Sequence, residues 1–492
     1  MRLMDPTPSL RFAILLILLG LTNAFPQKRD FGHCESVVKR WTSSAPSLEV
    51  KADNHALRDL LFFLHVPRTG GRTYFHCFLH KLYSGALECP RSYDKLNFDP
   101  SKRKCSLLVS HDDYSLVSKL PKDRTSVVTI LRDPIDRVFS TYELSVELAT
   151  EFLAYPNLTS ATTTAGSLSS KTSTLDIWPW KYLVPWMKED LFARRDARRR
   201  GSRDTYSSDP YNMEDIVIPL HKFIKDPISQ DIIHNGATFQ VAGLTNNSYF
   251  PESREVRHCV TQHKVLGQHV LEVAKRRLDN MLYVGLTEDH KKSATMFADV
   301  VGAQAISQLK GSSSGVETAS TNESEQSSLS DSKSDDDQSQ NVPPDVEVSA
   351  VGKDGASNKN MTEGELKESY ESCVSSFSDA QSHRHISALK KISPVNFTKE
   401  SRRQVPEAVL QEIKSLNNLD VELYEYAKEI FAQQNRRTTE KSTLTEKFGS
   451  MISSAYGTSQ RSRLFVFLPV ILLLISCILS VNARRRTSKV KI

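Results

Sequence analysis

A chain of 492 residues is too long for one compact domain and long enough for a sizeable core; 39% of it is hydrophobic and 25% charged. The formal net charge is +6, but Lys310 through Glu365 carry twelve acidic and four basic residues, a net of −8, so the rest of the chain holds +14. That balance suits anionic ligands, no motif points to nucleic acid, and the absence of C-x-x-C or H-E-x-x-H spacing argues against a metal site.

Residues 1–24 predict a secretory signal peptide: Arg2 and Arg11 lead into the apolar run Phe12–Leu21, and Thr22-Asn23-Ala24 supplies small residues for cleavage. Residues 25–56 form an N-terminal lumenal segment, and the main part of an α/β domain is expected over 57–306. Its first element, Leu60 to Val66, is a short continuous apolar run of the kind found in buried strands. The loop "PRTGGRT" follows, and then Phe75, Phe78, Leu79 and Leu82 recur on one helical face. Strand, Gly-containing basic loop and helix together gather backbone N–H groups around an anion. Gly70 and Gly71 permit close approach of the backbone, and Arg68 and Arg72 supply charge. An ordinary strand-to-helix turn with two glycines is the competing reading of this stretch alone.

His111 follows the apolar run Leu107–Val109, at the carboxyl end of a second strand. A third strand, Thr125–Leu131, runs into Arg132-Asp133-Pro134. Asp133 suits a helix N-cap, Pro134 the first helical position, and Asp136 the first turn. Arg132 therefore ends a strand, where open α/β sheets bind ligands, and Ser140 lies two turns into the helix. The alternation of strands and helices predicts a parallel sheet.

Thr159–Thr174 has the composition of a surface loop, and the basic run Ala193–Asp204, like Lys102, Arg103 and Lys104, is either a solvated face or an attractor of acidic peptide. Residues 307–370 are expected to be a disordered acidic, Ser-rich insertion, with no aromatic residue between Gly311 and Gly364. The domain resumes over 371–436, where Asp420 offers an N-cap to a helix with Val421, Tyr424, Ala427 and Phe431 on one face. Residues 437–463 suit a stem, 464–483 a transmembrane helix and 484–492 a basic cytosolic tail, giving a single-pass type I topology. Sequons at Asn157, Asn246, Asn322, Asn360 and Asn396 fit a lumenal location. Six cysteines outside the apolar span (Cys34, Cys77, Cys89, Cys105, Cys259, Cys373) allow fifteen pairings, and the sequence does not choose among them.

The pair "FLHVPRTGGRTYF" and "VVTILRDPIDRVFSTY" resembles the two nucleotide-binding motifs of sulfotransferases that use 3′-phosphoadenylyl sulfate. The resemblance implies a sulfotransferase fold with P-loop-like nucleotide binding. It assigns the 5′-phosphosulfate to the loop Arg68, Thr69, Gly70, Gly71, Arg72 and Thr73, and the 3′-phosphate to Arg132 and Ser140. Stretches around His111, "ATFQVAGLTN", "NMLYVGLTEDHKKSATMF" and "LDVELYEYAKEIF" are similar to heparan sulfate 6-O-sulfotransferases, which usually have Lys where this chain has Arg68. Arginine keeps the charge but gives up proton donation. Combined with a signal peptide and a C-terminal anchor, the pattern resembles the tyrosylprotein sulfotransferases of plants.

That likeness implies sulfation of tyrosine in secreted peptide precursors with acidic residues nearby, on the lumenal side of the Golgi membrane. His111 would be the general base, Arg68 the stabiliser of the leaving group, and no metal would be needed. Asp112 and Asp113 stand as groups that orient the His111 ring, as solvated side chains, or as carboxylate alternatives to His111. A glycan O-sulfotransferase and a non-catalytic nucleotide-binding interaction protein are the competing functions; a kinase is disfavoured because G-x-x-x-x-G-K-[ST] is lacking.

Overall fold

Four apolar segments, each too short to be a helix and rich in branched or aromatic residues, pair as a parallel sheet in the computed structural model. They are β1 (Leu60–Leu64), β2 (Leu107–Ser110), β3 (Thr125–Leu131) and β4 (Tyr283–Leu286), in the spatial order β2-β1-β3-β4. Every residue of β1, β3 and β4 is buried, as expected of a parallel sheet covered on both faces. Leu64 pairs with Ser110 and Thr129, and Leu131 pairs with Leu286, so the four strands finish along one edge. The first strand stops at Leu64, two residues short of the expected Val66, because the chain turns away into the glycine loop.

The described residues are 31–50, 56–83, 87–90, 95–100, 102, 105–154, 177–200, 209–313, 362–390 and 396–456. The expected signal peptide, transmembrane helix and tail lie outside them, as do 314–361, Thr159–Thr174, Asn157, Asn322 and Asn360. Among the described residues no helix is long and apolar enough to cross a membrane.

Helices cover the sheet. They include α1 (Phe31–Ser44), α2 (Gly71–Tyr74, continued by Phe75–Leu79 and His80–Leu82), α3 (Pro134–Ala154), α4 (Trp180–Arg200) and α5 (Gly236–Val241). After them come α6 (Ser253–Gln262), α7 (Gly267–Asp279), α8 (Glu363–Lys390) and α9 (Asn418–Tyr456). In α2 the expected face is buried: Phe75, Phe78, Leu79 and Leu82 all enter the core. Asp133 caps α3, accepting from the backbone N–H of Ile135 at 2.9 Å and of Asp136 at 3.2 Å.

The segment beyond 362 completes both hydrophobic cores. Leu366, Tyr370, Leu419, Leu423, Tyr424, Ala427 and Phe431 join the core around the sheet, while Val405 and Ile413 join a second core between α3 and α4. Residues 307–313 and 363–370 are thus helical, not disordered, and Leu366 and Tyr370 are buried. The polar composition of the neighbouring sequence hides these two anchors. The apolar stripe of α9 is present, with Leu423 and Ile430 buried in it and Val421 only half-buried.

Asp420 is not the cap of α9. Its carboxylate accepts from the backbone N–H of Ala237 (3.2 Å) and Thr238 (2.7 Å) at the start of α5, and from Arg137 Nη2 at 2.9 Å. The start of its own helix is served instead by Asn235, whose Oδ1 accepts from the Leu419 and Asp420 N–H groups at 2.8 and 3.2 Å, which leaves the Asp420 carboxylate to the buried arginine and the start of α5. Residues to Phe431 form one compact unit; those from Ala432 form a second, helical as far as Tyr456 where a stem was expected.

Three disulfides pair all six cysteines: Cys34–Cys259 joins α1 to α6, Cys89–Cys105 closes a short loop before β2, and Cys77–Cys373 ties α2 to α8.

Candidate active site

At the carboxyl edge of the sheet, the residues that follow each strand meet. β1 leads into His65 and the loop Val66–Gly71, β2 into His111, β3 into Arg132, and β4 into Thr287 and Glu288. The loop is held by its own polar groups. Thr69 Oγ1 donates to the Val66 carbonyl at 2.8 Å, and the Thr69 carbonyl accepts from Thr287 Oγ1 at 2.8 Å. Thr69 is buried, so its hydroxyl shapes the loop instead of facing outward. The Thr73 N–H closes the turn by donating to the Gly70 carbonyl at 3.0 Å, which occupies an amide that sequence reasoning offered to the phosphosulfate.

Gly70 sits at φ +80°, a left-handed conformation that side chains rarely adopt, and Arg68 joins it at φ 68°. Gly71 has a different constraint: a methyl group there would lie 2.3 Å from His65 Cδ2. The start of α2, around Gly71 and Arg72, points the positive end of the helix dipole at the loop.

The two motifs converge. Arg68 Nε donates to Ser140 Oγ at 2.9 Å, and Arg132 Nη1 donates to the Arg68 carbonyl at 3.1 Å. Burial, with the neighbouring Arg132 charge, pushes the Arg68 guanidinium down to about 10. Burial also lowers Arg132, although Asp136 opposes the shift. Two half-buried arginines side by side, each with its charged form disfavoured by its surroundings, concentrate positive charge at this edge and suit it to an anion.

Glu288 tempers this field. Its Oε1 lies 3.9 Å from Arg132 Nε and accepts from the Asp133 N–H at 3.0 Å, while Oε2 accepts from Tyr424 on α9 at 2.5 Å. Arg402, also from the C-terminal segment, donates to Glu143 (2.8 and 2.6 Å) and to Asp136 (2.8 Å), bracketing Ser140 on α3. Sequence reading missed Glu288, Tyr424 and Arg402. The "GLTED" stretch and the late helix were noticed, but nothing local ties them to Arg132.

His111 is buried beside His65, with ring centroids 4.1 Å apart, and burial pushes its imidazole down to about 4. Burial first, then the His111, Arg68 and Arg72 charges, holds His65 well below the usual histidine range. Gln240 on α5 donates to both backbone carbonyls, His65 at 3.2 Å and His111 at 2.8 Å.

The two neighbouring aspartates separate cleanly. Asp113 is a structural cap: Oδ1 accepts from Ser115 N (3.0 Å), and Oδ2 from Thr245 N (2.8 Å) and Oγ1 (2.7 Å). Asp112 accepts from Asn247 Nδ2 at 3.1 Å, and burial pushes its carboxyl up to about 6 against that and the weaker opposing hydrogen bonds of Lys95 and Ser110.

Other candidates stand apart from this edge. In the basic run, Arg194 is paired with Asp190 and Arg195 with Asp196, each at 2.9 Å, whereas 201–204 lie outside the described residues. Lys102 is exposed near Asp99, and Arg103 and Lys104 are not described. Asn246 is exposed and Asn396 half-buried. Among the described residues no group of three or more His, Cys, Asp or Glu could hold a metal ion.

Fold and site together define an α/β protein whose parallel sheet gathers two arginines and two imidazoles at its carboxyl edge. No family model matches the chain. It is 53% identical to a protein-tyrosine sulfotransferase of Arabidopsis thaliana, over 97% of this chain and 98% of the relative. The chain belongs to the protein-tyrosine sulfotransferase family and is an enzyme, a sulfotransferase.

Proposed function

We propose that the chain transfers a sulfuryl group from 3′-phosphoadenylyl sulfate to tyrosine hydroxyls of secreted peptides, in acidic sequence context. The observation that carries this reading is the Arg68–Ser140–Arg132 cluster beside the glycine loop, joined to the family relationship. The first-turn amides around Gly71 and Arg72, with the Arg68 charge, suit the 5′-phosphosulfate; Arg132 and Ser140 suit the 3′-phosphate. Ser140 oxygen serves Arg68 as an acceptor, which leaves the serine O–H as a donor for a phosphate oxygen.

Transfer is an in-line displacement. The sulfur–oxygen bond to the 5′-phosphate breaks, a new one forms to the phenolic oxygen, and the phenolic proton passes to His111. Charge that develops on the leaving phosphate oxygen meets Arg68. A buried neutral imidazole is a weak base by itself, but an anionic donor bound beside it raises its proton affinity.

We further infer that the enzyme works in the Golgi lumen as a type I membrane protein. The basic-flanked apolar segment 464–483, the signal peptide and three disulfides support that reading. The test offers the full-length chain in detergent labelled 3′-phosphoadenylyl sulfate together with an acidic tyrosine peptide and heparan sulfate. Label is expected on the peptide tyrosine; label on the glycan alone would overturn the assignment.

A further inference from the structure

His65 has no part in the mechanism above, yet it lies against both His111 and the glycine loop. It is the first residue beyond β1, and its N–H extends the ladder by donating to the Ser110 carbonyl at 2.9 Å. This register sets its ring against that of His111, 4.1 Å between centroids and 30° between planes. On the strand side the His65 ring stacks on Phe63, at 5.6 Å and 10°. On the loop side the backbone of Gly71 closes over the ring edge, where a methyl group would come within 2.5 Å of Nε2. The ring is therefore fixed by the sheet, the glycine loop and His111. The charged groups that face it are Arg68 and Arg72 from the loop; the titratable His111 follows β2, and α5 contributes the neutral Gln240 amide to the His65 carbonyl.

We propose that His65 is a positioning residue: a flat wedge between the glycine loop and His111 that aims the His111 imidazole at the acceptor hydroxyl. The inference rests on His111 being the base. A neutral ring packed at 4.1 Å and 30° restricts the tilt of His111, and it can carry the imidazolium that forms when the phenolic proton arrives, because a π face attracts a cation. A second protonated imidazole would repel that cation. Burial, and after it the neighbouring His111, Arg68 and Arg72, disfavour a proton on His65. The close fit against Gly71 also means that the loop which holds the donor and the ring which aims the base move together.

The test compares His65→Ala, His65→Leu, His65→Phe and His111→Ala in the full-length chain. Turnover is measured on an acidic tyrosine peptide, and product-nucleotide affinity by calorimetry. Loss of the flat ring in His65→Ala, or in His65→Leu should the alanine variant not fold, is expected to lower kcat about 10–100-fold, the scale of a misaimed group. Product-nucleotide affinity should stay within about threefold. His65→Phe should recover most of kcat, and its acid limb should match that of the wild type. His65→Phe as inactive as His111→Ala would overturn the proposal by making His65 a proton carrier. Wild-type kcat in His65→Ala, or lost nucleotide affinity with unchanged kcat, would overturn it too. Normal turnover in His111→Ala would instead remove the base assignment itself, whatever the His65 variants do.

Discussion

His111, Asp112 and Asp113 are consecutive, and their surroundings give them different chemistry. Asp113 spends both oxygens on two turns, so Asp112 is the carboxylate that competes with His111 for the role of base. The pH profile separates them, since a base works in its deprotonated form and activity falls as the pH drops through its pKa. With His111 as base, kcat/KM for the donor, which reports the free enzyme, should hold from pH 6.5 to 5 and fall only toward about 4. With Asp112 as base the fall would begin near pH 6. His111→Ala is expected to reduce kcat by about 10²–10⁴ with donor binding nearly unchanged, whereas Asp112→Asn keeps most of the turnover. Arg132→Ala removes charge-assisted contacts to the 3′-phosphate. Donor KM and product-nucleotide Kd should rise in parallel, by about 10–100-fold, in steady-state kinetics and calorimetry.

At the scale of elements, the glycine loop depends on α5 and α9 as much as on its own residues. Asp420 at the start of α9 bonds the first turn of α5 and the buried Arg137 of α3, and α5 carries the Gln240 that spans the two histidines. Asp420→Ala would leave a buried guanidinium and two backbone N–H groups without that partner. A cost of about 3–5 kcal/mol is expected in urea unfolding, the usual penalty for breaking a buried pair from one side. Asp420→Asn keeps an oxygen for the helix start and should cost less. Equal stability of wild type and Asp420→Ala would mean that the pair does not carry the junction.

At the scale of the molecule, two sequence segments separated by an acidic stretch build one unit. Leu366 and Tyr370 enter the core just after that stretch, and Cys77–Cys373 bonds the returning chain to the helix that follows the glycine loop. What matters for function is that the chain returns, and long loops add closure entropy only slowly. Replacing 314–361 with a Gly-Ser linker is therefore expected to keep kcat within about threefold in the peptide assay. Extending the deletion through Leu366 and Tyr370 removes core side chains and should abolish folding, read as loss of the thermal transition.

The sequence by itself determined the local features. Apolar runs set the strands, and Thr125–Leu131 forms over the expected residues. Asp133-Pro134 sets a helix start, and two glycines permit a loop that other residues would strain. Each depends on the preferences of a few adjacent residues, and the places of Arg132 just beyond that strand and of Ser140 two turns into the helix follow from the same local signals. Tertiary structure decided the rest. It selected one disulfide pairing of fifteen, gave Asp420 to Arg137 across 283 positions, set His65 against His111, and fixed Glu288 between Arg132 and Tyr424. Those outcomes turn on which strands neighbour one another and which polar groups are enclosed together. Residues far apart in the chain acquire such relations only when the sheet closes and water is excluded around them.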